Sequence, residues 1–392
     1  MENENNFTNN NKSLALVVGA GISGATVARV LADNGYFVTV IDKRETIAGN
    51  LYDYKDENGI IVQKYGPHIF HTNEKAVFDF LSRFTIWYKY EHKVLANVNG
   101  VLVPVPFNLT SLELLFPKEK AVKIKNTLLT EIGYGKKIPV LTLKAHTDPL
   151  IREFAEFVYE NIFKFYTMKQ WGLKPEYLNE TVTARVPVYT SYEDKYFTDE
   201  YQFQPSGGFT EMVKNILEHK NIKVISGVNG AEILKIYENK IYLSGKEFLG
   251  QVIYTGKLDE LFNYEFGALS YRSLDFVFET HDISSYQPSA VVNYTTSENF
   301  TRISEFSKFT CFPKNKTVIV KEYSKPCSLT DVPYYPLDTP ECKNAYTRYL
   351  EKSKTIKNLH LLGRLANYKY INIDTAVLDA INKANSIIEN QK

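Results

Sequence analysis

The first stretch of the chain consists of short apolar runs separated by a glycine-rich turn. Residues 14–18 are continuously apolar, which is typical of a strand that is buried on both faces of a sheet. Over residues 25–34 apolar side chains recur at helical spacing, and Gly35 is a typical helix stop. A second apolar run over residues 36–41 ends at Asp42. Strand, helix and strand in this order predict one βαβ unit.

The pattern changes after this unit. A helix is predicted over residues 73–85, and residues 94–106 alternate around Asn99-Gly100, which is a typical two-residue hairpin turn. Helical periodicity then dominates residues 109–166. This long helical stretch predicts an inserted helical domain.

Extended and helical stretches alternate in the second half of the chain. Residues 185–204 are rich in Tyr and β-branched residues and are predicted to be extended, whereas residues 209–219 are predicted to form a helix. Short strands and turns are predicted over residues 224–254. Residues 270–325 alternate between apolar and polar side chains, which predicts an antiparallel sheet.

The end of the chain returns to the pattern of its beginning. Residues 359–362 form an apolar run, Gly363-Arg364 follows, and a helix is predicted from Asp374 onward. A nucleotide-binding domain that is completed by its last strand and helix is discontinuous, so the predicted fold class is α/β with α+β insertions. The predicted domains are a discontinuous Rossmann-like domain of residues 12–85, 205–260 and 345–392, an inserted helical domain of residues 108–180, and an antiparallel β-sheet domain of residues 86–107, 181–204 and 261–344.

Composition narrows the possible classes of protein. The 392 residues are enough for two or three domains, and 44% of them are hydrophobic, which is enough for packed cores. A net charge of +1 gives no broad field for nucleic acid or a membrane surface, so neither is expected as a partner. Three widely spaced cysteines without a Cys-x-x-Cys pair argue against zinc or dithiol chemistry and favour a cytoplasmic location.

A glycine fingerprint follows the first predicted strand. Gly19 permits the tight turn, Gly21 lets the backbone approach a pyrophosphate, and Gly24 allows the helix to pack closely on the strand. The helix N-terminus offers free N–H groups to that anion. Asp42, at the end of the second strand, is placed to bind a ribose hydroxyl pair. The fingerprint by itself does not distinguish NAD from FAD.

Two further features favour FAD. Residues 43–50 form a basic loop, in which Lys43 and Asn50 are candidates for a second pyrophosphate contact. The last predicted strand, Gly363-Arg364 and the last helix would close the domain as in flavoproteins of the glutathione-reductase type. The positive end of that helix would favour negative charge on a reduced flavin. The Rossmann-like domain is therefore predicted to bind FAD.

Two histidines occur in a short run that comes soon after the βαβ unit. The run is Tyr65-Gly66-Pro67-His68-Ile69-Phe70-His71-Thr72. A Gly-Pro turn places His68 and His71 in a loop that would bring their imidazoles close to the ring of the cofactor. No metal site is predicted, because no Glu or Cys accompanies the pair. A packed structural histidine is the alternative interpretation, and a site role is favoured for His71.

Candidate substrate-binding groups lie further along the chain. Tyr166 and Trp171 could enclose a planar base, although core aromatics under a loop would give the same pattern. Arg185 and Arg302 lie in extended stretches and are candidate phosphate ligands, because a guanidinium offers two parallel donors. A surface ion pair is the alternative for either arginine. Phenolic hydrogen bonds to a diphosphate are expected from Tyr196, Tyr335 and Tyr370.

Taken together, these motifs resemble one family, UDP-galactopyranose mutase, over residues 14–390. The resemblance rests on the glycine fingerprint, on the run with the two histidines, and on the motifs at residues 166–172, 185–188, 195–197, 301–305, 334–336, 363–365 and 368–370. It implies a flavin-dependent isomerase that interconverts UDP-galactopyranose and UDP-galactofuranose and supplies furanose for cell-surface polysaccharide.

The resemblance also implies a mechanism and a set of site residues. Only reduced FAD would be active: its N5 would attack the anomeric carbon, UDP would leave, and the sugar would open through a flavin iminium before the ring recloses. The implied catalytic residues are His71, Arg185 and Arg302. The implied substrate contacts are Phe163, Tyr166, Trp171, Arg185, Tyr196, Arg302, Tyr335, Tyr370 and Asn372, and His68 and Arg364 are placed at the cofactor. The loop that carries Trp171 and Arg185 is expected to be mobile, and a homodimer is expected.

The chain departs from the family pattern at three positions, and the first two, around the sugar and phosphate, leave the sugar open. Many members carry a second Arg at the position of Tyr189, Asp at that of Asn372, and Gly at that of Ala48. UDP-N-acetylgalactosamine or a 6-deoxy sugar nucleotide is therefore an alternative substrate. An FAD oxidase of the amine-oxidase type and a catalytically silent nucleotide-sugar binder are the alternatives of other classes, and Arg185 and Arg302 argue against the first of them.

Overall fold

The computed structural model describes residues 14–172, 187–310, 315–337 and 339–390. Its helices are α1 (Ile22–Asp33), α2 (Lys75–Ser82), α3 (Leu109–Leu115), α4 (Lys118–Glu131), α5 (Val140–Lys144), α6 (Pro149–Val158), α7 (Phe165–Trp171), α8 (Phe209–Leu217), α9 (Gly230–Ile233), α10 (Leu258–Leu261), α11 (Pro340–Lys354), α12 (Gly363–Ala366) and α13 (Ile373–Glu389). A π-helical turn, Tyr159–Lys164, joins α6 to α7, and 3₁₀ turns lie at Gly49–Leu51 and Phe306–Lys308.

The strands follow the same order along the chain. They are β1 (Leu14–Val18), β2 (Phe37–Ile41), β3 (Asp53–Lys55), β4 (Ile61–Gln63), β5 (Phe70–Thr72), β6 (Trp87–Lys89), β7 (Val94–Val98), β8 (Val101–Val105), β9 (Lys137–Pro139), β10 (Pro187–Tyr189), β11 (Tyr201–Pro205), β12 (Ile222–Ile225), β13 (Leu234–Tyr237), β14 (Lys240–Leu243), β15 (Lys246–Glu247), β16 (Gln251–Tyr254), β17 (Tyr271–His281), β18 (Val291–Tyr294), β19 (Arg302–Glu305), β20 (Thr317–Pro326), β21 (Tyr335–Pro336) and β22 (Leu359–Leu361).

A parallel sheet of five strands forms the centre of the Rossmann-like part. Its order is β12-β2-β1-β16-β22, and every neighbouring pair runs parallel. Helices α1 and α13 pack against each other on one face of this sheet, where Val27, Leu31, Val377 and Ala380 are fully buried. Strands from the two ends of the chain and from its middle therefore share one sheet, which confirms the predicted Rossmann-like fold.

The inserted helices surround a second core. The stretch predicted to be helical contains α3 to α7, interrupted by the short strand β9. Phe107, Phe154 and Phe163 are each about 1% exposed within this core. Asp148 caps α6, because its Oδ1 accepts hydrogen bonds from the backbone N–H groups of Leu150 and Ile151.

A seven-stranded sheet lies beside the helices, in the order β21-β17-β20-β19-β18-β7-β8. The predicted hairpin at Asn99-Gly100 is confirmed, and both turn residues have positive φ, 51° and 91°. The pairs among β17, β18, β19 and β20 are antiparallel as predicted, whereas β18 runs parallel to β7. The hairpin is distant in sequence from β18 and joins its free edge without a tight turn, so no local pattern fixes the direction of that pair.

Two further predictions are corrected in detail. The stretch expected to be extended up to residue 204 contains the strands β10 and β11, with turns and bends between them over residues 190–200. The stretch expected to hold strands and turns also contains the short helix α9. In the ranges that the structure describes, no helix combines the length and apolar character needed to cross a membrane.

Candidate active site

Two adjoining cavities lie where the parallel sheet meets the seven-stranded sheet. The first, about 230 Å³, opens at the carboxyl ends of β1 and β2, where α/β folds bind nucleotides, and we call it the cofactor cavity. The second, about 540 Å³, is lined by the run with the two histidines and by β18, β19 and α7, and we call it the substrate cavity. His68, Arg364, Asn372 and Ile373 line both. A ligand in one cavity therefore shares a wall with a ligand in the other.

The glycine fingerprint shapes the entrance of α1. Gly19 has a φ of 110°, and a Cβ there would lie 2.0 Å from Thr255 Oγ1. A Cβ at Gly24 would lie 1.9 Å from the carbonyl oxygen of Gly19. Gly21 is the N-cap and lines the cavity, and no side chain in the described part of the protein caps the helix there. The first N–H groups of α1 are thus left for an anion, as the fingerprint predicts.

Asp42 lies in the wall of the cofactor cavity and is 8% exposed. Its Oδ2 accepts a hydrogen bond from the backbone N–H of Ala20 at 2.7 Å, and its Oδ1 accepts one from the backbone N–H of Arg44 at 2.8 Å. Each carboxylate oxygen can accept a further hydrogen bond. This position is compatible with the predicted contact to a ribose.

The basic loop after β2 holds an arginine that was not predicted. Arg44 Nη2 donates to Asn50 Oδ1 at 2.9 Å, and its guanidinium lies 4.4 Å from the ring centre of Tyr65. Arg44 Nη1 is buried beside the cofactor cavity and has no hydrogen-bond partner among the described residues. Lys43 lines the cavity more loosely, with its Nζ 3.8 Å from Glu260. An uncapped helix N-terminus and a buried donor fit the pyrophosphate of a dinucleotide.

His68 and Arg364 form part of the wall between the two cavities. His68 Nδ1 lies 2.9 Å from the carbonyl oxygen of Gly66, and burial together with the charge of Arg364 lowers the pKa of His68 to about 4. The imidazole is therefore neutral at physiological pH. Arg364 donates to the carbonyl oxygens of Tyr334 and Ile371 at 3.1 and 2.9 Å, and its guanidinium lies 4.5 Å from the ring centre of Tyr370.

Arg302 brings positive charge into the wall of the substrate cavity. Its Nε lies 2.6 Å from Oε1 of Glu322, and the two side chains are 24% and 2% exposed. Burial disfavours the charged guanidinium, but Glu322, Tyr166 and Tyr335 outweigh that effect and raise the pKa of Arg302 well above its usual value. The arginine is held in its charged form, as a phosphate ligand must be.

An aromatic wall closes one side of the substrate cavity. The ring centres of Trp171 and Tyr335 are 5.6 Å apart, and those of Tyr335 and Tyr370 are 5.7 Å apart. Tyr166 also lines the cavity, whereas Phe163 does not. The prediction that Phe163 lies at the substrate is therefore corrected: on the turn before α7 it points into the helical core. Burial raises the pKa of Tyr335 to about 12, so its phenol is a hydrogen-bond donor at neutral pH.

A further side of the substrate cavity carries two histidines, His71 and His92. The His71 ring stacks on Phe197 with the ring centres 3.6 Å apart, and its Nδ1 lies 3.1 Å from Asp199 Oδ2. His92 was not predicted, and burial lowers its pKa to about 3, with a smaller effect of the Arg302 charge. Tyr196 packs edge-on against His92 at 5.5 Å between ring centres. This side is therefore built from stacked rings.

Two polar residues of the seven-stranded sheet, Asn293 and Glu322, lie beside Arg302 and were not predicted from the sequence. Asn293 lies opposite Arg302 in the register of β18 and β19, and its buried Oδ1 accepts no hydrogen bond from any residue in the described ranges. Glu322 lies opposite Arg302 on β20. The alternation of side chains along the strand of Arg302 was the available sequence signal. Identifying Asn293 and Glu322 from it also requires knowing which strands pair with that strand. Arg185 lies outside the described residues.

The fold and the two cavities are those of a Rossmann-like protein in which a cavity at the glycine fingerprint adjoins a second cavity lined by arginine and tyrosine. A family model described as an NAD(P)-binding Rossmann-like domain matches residues 17–84, and one described as UDP-galactopyranose mutase matches residues 161–370. The chain belongs to the UDP-galactopyranose mutase family, which makes it an isomerase and implies a flavin cofactor.

Individual relatives agree over almost the full length. The chain is 34% identical to a Klebsiella pneumoniae protein named "Probable UDP-galactopyranose mutase", covering 97% of this chain and 95% of the relative. It is 33% identical to the dTDP-fucopyranose mutase of Escherichia coli, covering 96% and 99%. The crystal structure of a reduced UDP-galactopyranose mutase superposes with a TM-score of 0.72 at 16% identity, covering 96% of this chain and 94% of that one, which shows the shared fold.

Proposed function

We propose that this protein interconverts UDP-galactopyranose and UDP-galactofuranose with FAD, and that it acts when the FAD is reduced. The observation that carries the proposal is the shared wall of the two cavities, formed by His68, Arg364, Asn372 and Ile373. A sugar held by its diphosphate at Arg302 would extend toward the cofactor across this wall. The homodimer and the cytoplasmic location are part of the same proposal.

The residues of the cofactor cavity fit FAD. The N-terminus of α1 and Arg44 would hold the pyrophosphate, Asp42 the ribose, and Arg364 the end that faces the substrate. Reduced FAD bound there supplies an electron-rich nitrogen toward the anomeric carbon of the sugar.

The chain's own groups orient the substrate and stabilise charge. Arg302 would neutralise the diphosphate as the bond to the anomeric carbon breaks, which is electrostatic stabilisation of a leaving group. The protonated phenol of Tyr335 and the ring of Tyr370 would position the same group. His71 would border the sugar, held in place by Phe197 and Asp199. Arg185 is proposed as the second arginine of the clamp.

The decisive experiment is an anaerobic incubation of the dithionite-reduced protein with UDP-galactofuranose, followed by chromatography. The oxidised protein is the matched control. Formation of UDP-galactopyranose by the reduced sample alone, without any electron acceptor, is the expected result and separates an isomerase from an oxidase. A flavin-loaded protein that binds UDP but converts nothing in either state contradicts the proposal for this sugar, and assays with other nucleotide sugars then distinguish a different substrate from a silent nucleotide-sugar binder.

A second candidate is the same reaction on a 6-deoxy sugar nucleotide. The relative named dTDP-fucopyranose mutase, which matches over almost all of this chain, favours it. Asn372, in the shared wall, stands where many members carry Asp. Parallel assays with dTDP-fucofuranose, UDP-galactofuranose and UDP-N-acetylgalactosamine decide between the sugars: the substrate with the highest kcat/KM is the preferred one, and a slower dTDP-fucose reaction removes this candidate.

A further inference from the structure

Helix α7 carries Tyr166 and Trp171 of the aromatic wall and ends at Gly172, the last residue before a break in the described part of the chain. The last carbonyl groups of a helix have no partner within the helix itself. The carbonyl of Met168 receives the N–H of Gly172 at 2.8 Å. Two residues outside α7 donate to the carbonyls that follow, so the sheet anchors the end of this helix.

The side chain of Lys169 leaves α7 and fastens it to the loop between β18 and β19. Its ammonium donates to the carbonyl oxygens of Tyr294, Glu298 and Phe300 at 2.5, 3.0 and 3.2 Å. An ammonium has three N–H groups, so these three carbonyls satisfy it completely. Burial lowers the pKa of Lys169. This lysine does not line either cavity as the structure describes them.

Arg272 of β17 holds the same helix end from the other direction. Arg272 is buried, with 7% of the residue exposed. Its Nε donates to the carbonyl oxygen of Gln170 at 3.2 Å, and its Nη2 donates to Ser324 Oγ at 2.9 Å. Ser324 Oγ in turn donates to the carbonyl of Gln170 at 2.7 Å. A Cβ on Gly172 would lie only 2.6 Å from Arg272 Nη1, so the fit is tight. A cation at this end also complements the helix dipole.

The two anchors converge on the aromatic wall. Arg272 is paired with Tyr335 in the register of β17 and β21, and Tyr335 is the residue that Trp171 contacts. Fixing the end of α7 to β17 therefore fixes the Trp171 ring against the Tyr335 ring. Lys169, Arg272 and Ser324, which anchor this wall, all belong to the residues that the structure describes.

We propose that Lys169 and Arg272 are positioning residues that pre-form the aromatic wall for the nucleotide end of the substrate. The proposal rests on the proposed function, in which this cavity receives a nucleotide sugar. Neither side chain lines the cavity, so their loss weakens binding of the nucleotide and leaves the chemical step intact. Pre-forming a site in this way removes the cost of ordering it when the ligand binds.

The test uses the flavin-loaded protein with Trp87→Phe, which leaves Trp171 as the single tryptophan reporter. In this background we compare Lys169→Met, Arg272→Met and the control Lys164→Met. Lys164 lies on the preceding turn and pairs with Glu160 at 2.8 Å. Replacing Lys164 by Met removes one positive charge, as Lys169→Met does. Four quantities are measured: the emission maximum of Trp171 without ligand, the Kd for UDP, and the kcat and KM of the reduced enzyme.

Lys169→Met is expected to shift the Trp171 emission to longer wavelength and to raise the Kd for UDP and the KM about tenfold, with kcat within twofold of the parent. Arg272→Met is expected to act in the same direction, and Lys164→Met to change none of these values. An unchanged emission and Kd, or a loss of kcat at constant KM, overturns the proposal. Flavin absorbance reports whether each variant is folded, so Lys169→Met remains informative if the more buried Arg272→Met fails to fold.

The failure of this proposal and that of the proposed function can be told apart. If the parent protein converts no nucleotide sugar, the proposed function is wrong. The Trp171 emission and the hydrogen exchange of residues 165–172, both read without ligand, then decide the anchoring by themselves. Faster exchange of these amides in Lys169→Met than in Lys164→Met supports it, and equal exchange contradicts it.

Discussion

At the scale of single residues, the pair of Arg302 and Glu322 determines how the substrate cavity can hold an anion. Burying the charged guanidinium of Arg302 in this wall costs free energy. The buried carboxylate of Glu322, whose Oε1 lies 2.6 Å from Arg302 Nε, offsets that cost. Among the described residues no other hydrogen-bond acceptor engages the guanidinium, so its two Nη groups stay available for a diphosphate. Glu322 therefore sets both the charge and the direction of the arginine.

Replacing Arg302 by Ala is expected to lower turnover of the reduced enzyme at least a hundredfold, in line with the loss of one strong transition-state contact of about 3 kcal/mol. Flavin binding should persist, because Arg302 does not line the cofactor cavity. Steady-state assays and flavin absorbance measure the two effects. The control is Arg348→Ala, since Arg348 is exposed and its guanidinium lies over the ring of Phe266 at 4.3 Å. Turnover within twofold of the parent in Arg302→Ala would remove this arginine from the clamp.

At the scale of elements, the turn from β1 to α1 contains two glycines that are required for different reasons. At Gly24 the structure itself leaves no room, because a Cβ would meet the carbonyl oxygen of Gly19 at 1.9 Å. At Gly21 the nearest atom to a Cβ is the Cα of Gly49 at 3.8 Å, which is an ordinary contact. The backbone of Gly21 has a φ of −71°, which any residue adopts. Only a ligand makes Gly21 necessary.

These two glycines give a paired prediction. Gly21→Ala should fold with a thermal midpoint close to that of the parent protein without cofactor. It should lose the proposed FAD, because the methyl group occupies the approach to the proposed pyrophosphate position. Gly24→Ala should destabilise the fold itself by about 1–3 kcal/mol, since α1 must move away from β1. Flavin absorbance and thermal unfolding of both cofactor-free variants separate the two effects. Normal FAD content in Gly21→Ala contradicts the placement of the pyrophosphate at α1.

Secondary-structure elements that depend on residues close together in the chain could be predicted from the sequence. The turn at Asn99-Gly100 and helix α1 depend on residues that lie within a few positions of one another. The turn was predicted, and the helix was predicted over residues 25–34, three residues later than its observed start at Ile22. The parallel pairing of β18 with β7 depends on strands that are far apart in the chain, and no local periodicity encodes it. Phe163 was assigned to the substrate by the family resemblance, whereas in the structure it lies on the π-helical turn before α7 and is buried in the helical core.

The residues of the site divide in the same way, into those that a local motif identifies and those that depend on contacts between distant parts of the chain. Gly21, Asp42, Arg302 and Tyr335, which short motifs singled out, all lie on the cavity walls. His92 and Asn293 line the substrate cavity, and Glu322 pairs with Arg302, only through strand pairing and packing, which the sequence pattern does not reveal.

At the scale of the whole molecule, the buried neutral histidines link stability to pH. Burial lowers the pKa of His68 to about 4 and that of His92 to about 3, below the value of about 6.5 for an unfolded histidine. Between pH 6.5 and these values the unfolded chain binds more protons than the folded one. Stability therefore falls as the pH falls below about 6.5.

Lowering the pH from 7.5 to 5.5 is expected to remove about 1.4 kcal/mol of stability for each of these histidines. His92→Gln should lose its share of this dependence, so its unfolding midpoint falls less between the two pH values than that of the parent. Urea unfolding followed by fluorescence measures the difference. His146→Gln, in the loop that precedes α6, is the control and should keep the full dependence of the parent. An equal pH response of parent and His92→Gln contradicts the assignment of a buried neutral imidazole.

The cofactor cavity is closed by α1 near the beginning of the chain and by α13, which packs on α1 and places Ala376 in the cavity wall. During translation the chain leaves the ribosome from its N-terminus, so the glycine turn emerges long before its partner helix exists. The chamber is complete only when α13 has been released and has docked. Flavin loading is thus a late event in biosynthesis, and an arrested nascent chain that stops before residue 373 is expected to remain colourless.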